Sequence, residues 1–198
     1  MVFLMSMNWI ELLFLSAKNP RAGASQLLGL KFNNFQLLQI SILSICLISI
    51  FLFLVVSTFG AVLPNALEIQ PNQTNIFSTL QSIRPINIVI SGIISFIARS
   101  IALTYFSRVF NGIGSLRYSI LSLAWFDIIH SMGLAIVFIG LWVSPTITIL
   151  FTLVGTIWLM WIAVSFISVL HNFKNVSFVF FGMIIGYLAL HFCLNLIF

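Results

Sequence analysis

Three residues able to hold or move charge lie inside otherwise apolar stretches of this chain: Arg99, Asp127 and His130. Arg99 falls in the run 86–106, and Asp127 and His130 fall in the run 118–142. A charged side chain at the centre of a bilayer costs about 2.5–3.5 kcal/mol, so an opposite charge on a neighbouring helix is its natural partner. Counted at about 1.5 Å per residue, both charges sit roughly 12–14 Å in from the same ends of their runs. The spacing therefore predicts an intramembrane Arg99–Asp127 ion pair. Two kinds of chemistry are open to it. The pair could form part of an ion or proton path, with His130, three residues from Asp127, as a relay. The favoured reading is a structural clamp, or an Arg99 that simply extends along its stem to the interface, with the ion or proton path as the runner-up.

The surroundings of the pair are small. Ser91, Ser95, Arg99 and Ala102 fall on one stripe of the first run, and Ala124, Asp127, Ser131 and Ala135 on one stripe of the second. Small residues at such spacing let helices approach closely in lipid, which predicts Ser91, Ser95 and Ser131 as packing positions.

The other chemistry-bearing residues point elsewhere. His191 and Asn195 are four apart and could hydrogen-bond across helices, making His191 a second possible polar relay. A lone histidine builds no metal site, because nothing supplies further ligands at workable spacing. Gly182 and Gly186 form a GxxxG, a helix-packing motif. Gly112 and Gly114 lie in the short segment Asn111-Gly112-Ile113-Gly114-Ser115, which lacks the Gly-Lys-Ser/Thr ending and the preceding strand of a phosphate loop. A tight turn, with the glycines supplying positive φ, is the expectation there. Glu11, Glu68 and Asp127 are the whole acidic complement and fall at three different levels of the chain. Neither an aspartyl dyad nor a metal-carboxylate centre can be assembled from them, and no His-Glu-x-x-His or Gly-x-Ser-x-Gly occurs. No catalytic residue and no cofactor is expected.

The elements that must position these residues are set by composition. Of 198 residues, 61% are hydrophobic and 6% charged, against about 25% charged in an ordinary soluble domain. Apolar runs long enough to span about 30 Å of hydrocarbon recur along the chain. The fold class expected is all-α: a polytopic membrane helical bundle of five transmembrane helices plus short N-terminal interfacial helices. The net charge of +5 comes from basic residues scattered over short loops, with no basic face interleaved with aromatics, so nucleic acid is not an expected partner. Cys46 and Cys193 lie in different apolar runs and read as small hydrophobes rather than a disulfide.

In chain order, residues 1–34 form the N-terminal interfacial region and 35–198 the membrane domain. Asn8, Glu11 and Lys18 fall in one wedge of an otherwise apolar helix, with Trp9 as an interfacial anchor. Asn19 caps a second short helix running to Lys31, with Pro20 at its first position. Spans are expected at about 35–62, 86–106, 118–142, 145–170 and 176–198, with Ser144-Pro145 making a tight turn between the third and fourth. Within the polar linker 63–85, Ile76, Phe77, Leu80 and Ile83 recur at helical spacing after Thr74, which predicts a short surface helix. Lys18, Arg21, Lys31, Arg108, Arg117 and Lys174 would share one side and Arg84 the other. The positive-inside rule then sets the N-terminus in the cytoplasm and the C-terminus outside.

The segment Asn8-Trp9-Ile10-Glu11-Leu12-Leu13, then Asn19-Pro20-Arg21-Ala22, together with the Phe110-Asn111-Gly112-Ile113-Gly114-Ser115-Leu116-Arg117 loop, resembles the Yip family, five-span membrane proteins named for interaction with Ypt/Rab GTPases. The resemblance covers nearly the whole chain. Eukaryotic relatives act in vesicle trafficking and carry a longer cytosolic N-terminal region with an Asp-Leu-Tyr-Gly-Pro motif, which is not present here, so the likeness is to the bacterial branch. It implies a non-enzymatic protein of the bacterial inner membrane that organises the bilayer or partner proteins. The alternatives are a small transporter or channel using Arg99, Asp127 and His130, and an accessory subunit of a larger membrane complex. The expected partners are the lipid bilayer and a second membrane protein or further copies of the chain.

Overall fold

Capping signals close to the N-terminus decide where the first two helices begin and end. Asn8 precedes α1 (Trp9–Lys18), and its side chain accepts the backbone N–H of Glu11 at 3.3 Å. Asn19 ends α1 and starts α2 (Pro20–Gly29), accepting the N–H of Ala22 at 3.3 Å, with Pro20 where a missing N–H costs nothing. The computed structural model describes residues 8–66, 84–109, 112–177 and 179–185, and every regular element among them is helical.

Four long helices follow: α3 (Asn34–Ala66), α4 (Pro85–Val109), α5 (Leu116–Val143) and α6 (Pro145–His171). An Asn33–Gln36 capping box opens α3, the Asn33 side chain accepting the Gln36 N–H at 2.7 Å and the Gln36 side chain accepting the Asn33 N–H at 2.9 Å. Only Ser144 separates α5 from α6, because Pro145 cannot continue the preceding helix but suits the first turn of the next. The turn is tight: a Cβ on Gly140 would lie 2.7 Å from the Thr148 hydroxyl. At its far end α6 stops in a Schellman motif. Asn172 takes the left-handed conformation (φ 55°), Phe173 N–H donates to Ser168 O at 2.8 Å, and Asn172 N–H donates to Val169 O at 3.3 Å.

Stretches of these four helices, Asn34–Val62, Pro85–Tyr105, Leu116–Val143 and Pro145–His171, are long and apolar enough to cross a membrane. The chain is accordingly a helical membrane protein. Residues 176–177 and 179–185 are also helical. The rest of the expected fifth span, with His191, Cys193 and Gly186, lies outside the described residues, as does the helix expected around 76–83.

The chain divides into two compact units. One comprises residues 1–31, 100–122 and 160–198; the other comprises 32–99 and 123–159. Each buries small hydroxyl residues beside its apolar ones while turning other large apolar side chains outward. In the second unit Ser41, Ser44, Ser49, Thr58, Ser131 and Thr148 are buried, while Ile42, Ile50, Ile94, Ile136 and Phe151 are exposed. The first unit buries Ser16, Ser100, Thr104, Ser119 and Ser168 and exposes Ile10, Phe14 and Ile113. Lipid is as apolar as leucine, so large side chains are stable on the outer surface as well as inside, whereas small hydroxyl residues let helices close up. Most of these hydroxyls are satisfied within their own helix, as where Ser41 donates to Leu37 O and Thr148 to Ser144 O, both at 2.8 Å.

Candidate functional site: a closed charge pair

In the second unit, α4 and α5 bring Arg99 and Asp127 together. Nη1 donates to Oδ1 and Nη2 to Oδ2, both at 3.0 Å, in the two-pronged geometry that matches a guanidinium to a carboxylate. Nε donates to the carbonyl of Ser95 at 3.4 Å. The two partners are unequally enclosed: the Asp127 side chain is 0% exposed and that of Arg99 37%. Asp127 sits on a buried face of α5 with Ala124, Ile128 and Ser131, whose small members leave room for the guanidinium. Ser131 is buried, and its hydroxyl closes on Ile128 O at 2.7 Å, so it packs without offering Asp127 a bond.

The small stripe expected on α4 is not where that helix packs. Ser91 and Ser95 are exposed, as is Ala102 of the same stripe. The face turned inward instead runs through Ile88 and Phe96, both buried, with Gly92 between them so close to α3 that a Cβ would lie 3.1 Å from Ser49 Oγ. The two stripes are one residue apart, about 100° round the helix. Arg99 does not need to stand on the packing face, because its long stem carries the guanidinium round the edge of α4. Ser91 tolerates its exposed position because its hydroxyl donates to Ile88 O at 3.0 Å.

His130 is half-buried one turn along α5, and its ring lies 6.0 Å from that of Phe126. Among the described residues no hydrogen bond joins it to Asp127. Gly182 has open space where a Cβ would stand, so no helix approaches it closely among the described residues.

Gly114 acts by a different physics from the one expected: its φ is not positive. Gly114 is needed for space: its N–H donates to His171 Nδ1 at 3.1 Å, and a Cβ there would lie only 2.5 Å from that nitrogen. His171, buried at the end of α6, is a partner of the turn that sequence reasoning missed. The one local signal for it was its place just before Asn172, a residue suited to the left-handed position that ends a helix. In the same unit α4 and α5 meet through two buried hydroxyls, Thr104 and Ser119, 2.8 Å apart. Each also faces a carbonyl of its own helix, Ser100 O at 2.8 Å and Ser115 O at 3.2 Å. One hydroxyl therefore donates across the helix pair while the other donates along its own helix.

No group of histidine, cysteine and acidic side chains capable of holding a metal ion occurs among the described residues. Comparison with protein families, with curated proteins and with solved structures returns no match.

Proposed function

We propose that this chain is a non-enzymatic protein of the bacterial inner (plasma) membrane that organises the bilayer or partner membrane proteins, as its resemblance to the Yip family implies. Its fold has five spans, a cytoplasmic N-terminus and a C-terminus on the opposite side. The observation that carries the reading is the enclosure of Asp127. A carboxylate that passes ions or protons must exchange them with water or with a connected relay. Asp127 is fully buried, both its oxygens are held by one guanidinium, and no hydrogen bond connects it to His130 among the described residues. Such a pair supports a clamp between α4 and α5. The orientation is supported by charge: Lys18, Arg21, Lys31, Arg108, Arg117 and Lys174 all belong to the first unit, with Glu11 its sole acid.

Affinity purification of the intact chain in mild detergent, read by mass spectrometry, tests the organising role. Recovery of a membrane protein in fixed stoichiometry, or of a defined homo-oligomer, is the expected result. The competing transporter reading has its own measurement. Proton or ion flux into proteoliposomes that disappears in Asp127→Asn would replace the organising role by transport.

A further inference from the structure

We propose that the first unit holds a binding site for the phosphate of an anionic bilayer lipid, in a cleft between the start of α2 and the side of α6. The cleft has a volume of about 210 Å³ and is lined by Asn19, Pro20, Arg21, Trp161, Ser165 and Val176. Its size falls below the roughly 300–1,000 Å³ of pockets that enclose a whole drug-sized ligand. It suits a headgroup whose acyl chains remain outside.

Three of the six lining residues, Asn19, Arg21 and Trp161, offer donors, and no acid is among them. Arg21 is exposed and its guanidinium, with five N–H groups, has neither an ion pair nor a hydrogen bond among the described residues. Trp161 is 47% exposed and brings an indole N–H that is likewise unpartnered. The Asn19 Oδ1 is already taken by the N–H of Ala22 at 3.3 Å, so what that side chain has left to offer is its NH₂ group. This bond also satisfies the start of α2, and the affinity for an anion therefore rests on Arg21 rather than on the helix terminus. Ser165 is buried and its hydroxyl proton is used on Trp161 O at 2.8 Å, leaving only an acceptor. An arginine fork beside free N–H donors, with no carboxylate to neutralise it, is complementary to a phosphate oxyanion.

The position of the cleft favours a lipid over a soluble anion. Ser165 and Trp161 precede the end of α6 at His171 by six and ten residues, which is about 9–15 Å along a spanning helix. α6 is 27 residues, about 40 Å, and overhangs a hydrocarbon core of about 30 Å by about 5 Å at each end. The cleft therefore lies roughly 4–10 Å below the headgroup–acyl boundary, the depth to which interfacial helices bury their apolar faces. α1 shows the matching surface, with Ile10 and Phe14 exposed at 65% and 72%. A phosphodiester carried by the bilayer stands a few ångströms above this level, within reach of the long Arg21 stem, whereas free phosphate would have to leave water to approach it. The inference needs only the membrane-embedded fold, and it stands or falls separately from the organising role.

Thermal unfolding of the full chain in detergent provides the test, with phosphatidylglycerol, phosphatidylcholine and inorganic phosphate as probes. Phosphatidylglycerol at about a hundredfold over its Kd should raise Tm by roughly 5 °C or more, and phosphatidylcholine should not. Arg21→Gln should weaken phosphatidylglycerol binding about tenfold, while Arg84→Gln, a cation in the other unit, should leave it unchanged. Quenching by phosphatidylglycerol with brominated acyl chains gives a second readout that does not depend on stability. The quenchable fluorescence should fall in Trp161→Phe relative to the unsubstituted chain. Equal stabilisation by both lipids, or undiminished binding in Arg21→Gln, would overturn the site. Stabilisation by inorganic phosphate as strong as that by phosphatidylglycerol would overturn the lipid as its occupant.

Discussion

Asp127 and Arg99 do not depend on each other equally. Asp127 is fully enclosed and short, so without Arg99 it has nowhere to take its charge, whereas Arg99 is 37% exposed on a long stem that can turn toward an interface. Removing one member of a buried pair costs about 3–5 kcal/mol when the survivor is left charged and enclosed. Arg99→Ala should approach that figure. Asp127→Asn should cost only about 1 kcal/mol, since the amide keeps the shape and the arginine can leave. Unfolding of the purified variants in mixed detergent gives the comparison, and an equal or reversed ranking would mean that Arg99 cannot move. Exchanging the two residues should recover much of what either single reversal loses; a double variant as unstable as the singles would count against the clamp. Gly114 allows a sharper measurement of the same kind. Gly114→Ala drives a methyl into the His171 ring and should cost about 1–3 kcal/mol. Combined with His171→Ala the two losses should be strongly non-additive, and simple additivity would place the strain elsewhere. The charge pair was legible in the sequence because a chain with so few charges leaves each of them few partners. The role of Gly114 was not, since its contact is made across 57 residues and nothing local marks it.

Helix ends were readable for the same reason that helix faces were not. Asn19-Pro20 and Ser144-Pro145 act through the backbone of their own segment, and α2 and α6 begin at those prolines. Which side of α4 turns inward is a tertiary question, and hydrophobic periodicity is silent on it when lipid and protein interior are equally apolar. Only small residues mark the contact, and Ser91, Gly92 and Ser95 offer two competing stripes that the sequence cannot rank. Space around a glycine ranks them in the structure. At Gly23 a Cβ would lie 2.6 Å from the Cα of Ser16, so α1 and α2 approach backbone to backbone at that point. Gly23→Ala must push the two helices apart and should destabilise the hairpin by about 1–3 kcal/mol. At Gly182 nothing stands within 4 Å among the described residues, and Gly182→Ala should be neutral or gain about 0.5–1 kcal/mol through helix propensity. A cysteine pair placed across α1 and α2 reports the first effect as slower disulfide formation, and detergent unfolding reports the second. A large loss at Gly182 would instead reveal a helix packed on it, as its GxxxG spacing suggests.

At the scale of the whole molecule, parity turns the number of spans into a measurable quantity. Four helices qualify by length and apolarity among the described residues, and four crossings alone would return the C-terminus to the side of the N-terminus. A fifth crossing, beginning with the helical residues 176–177 and 179–185, would leave the termini on opposite sides. Charge adds the absolute direction. The side that holds Lys18, Arg21, Lys31, Arg108, Arg117 and Lys174 should stay in the cytoplasm, because short basic loops resist translocation. Two fusions to the full chain, expressed in a bacterium, therefore separate three outcomes. Green fluorescent protein ahead of the N-terminus should fluoresce, and alkaline phosphatase after Phe198 should be active, which requires an external C-terminus. An inactive phosphatase with a fluorescent N-terminus would reduce the spans to four, with residues 176–198 not crossing the membrane. A dark N-terminal fusion with inactive phosphatase would keep the odd number and reverse the molecule. That result would place Arg21 and the cleft beside Trp161 at the outer leaflet, where the lipid proposed for it would have to be drawn from a different pool.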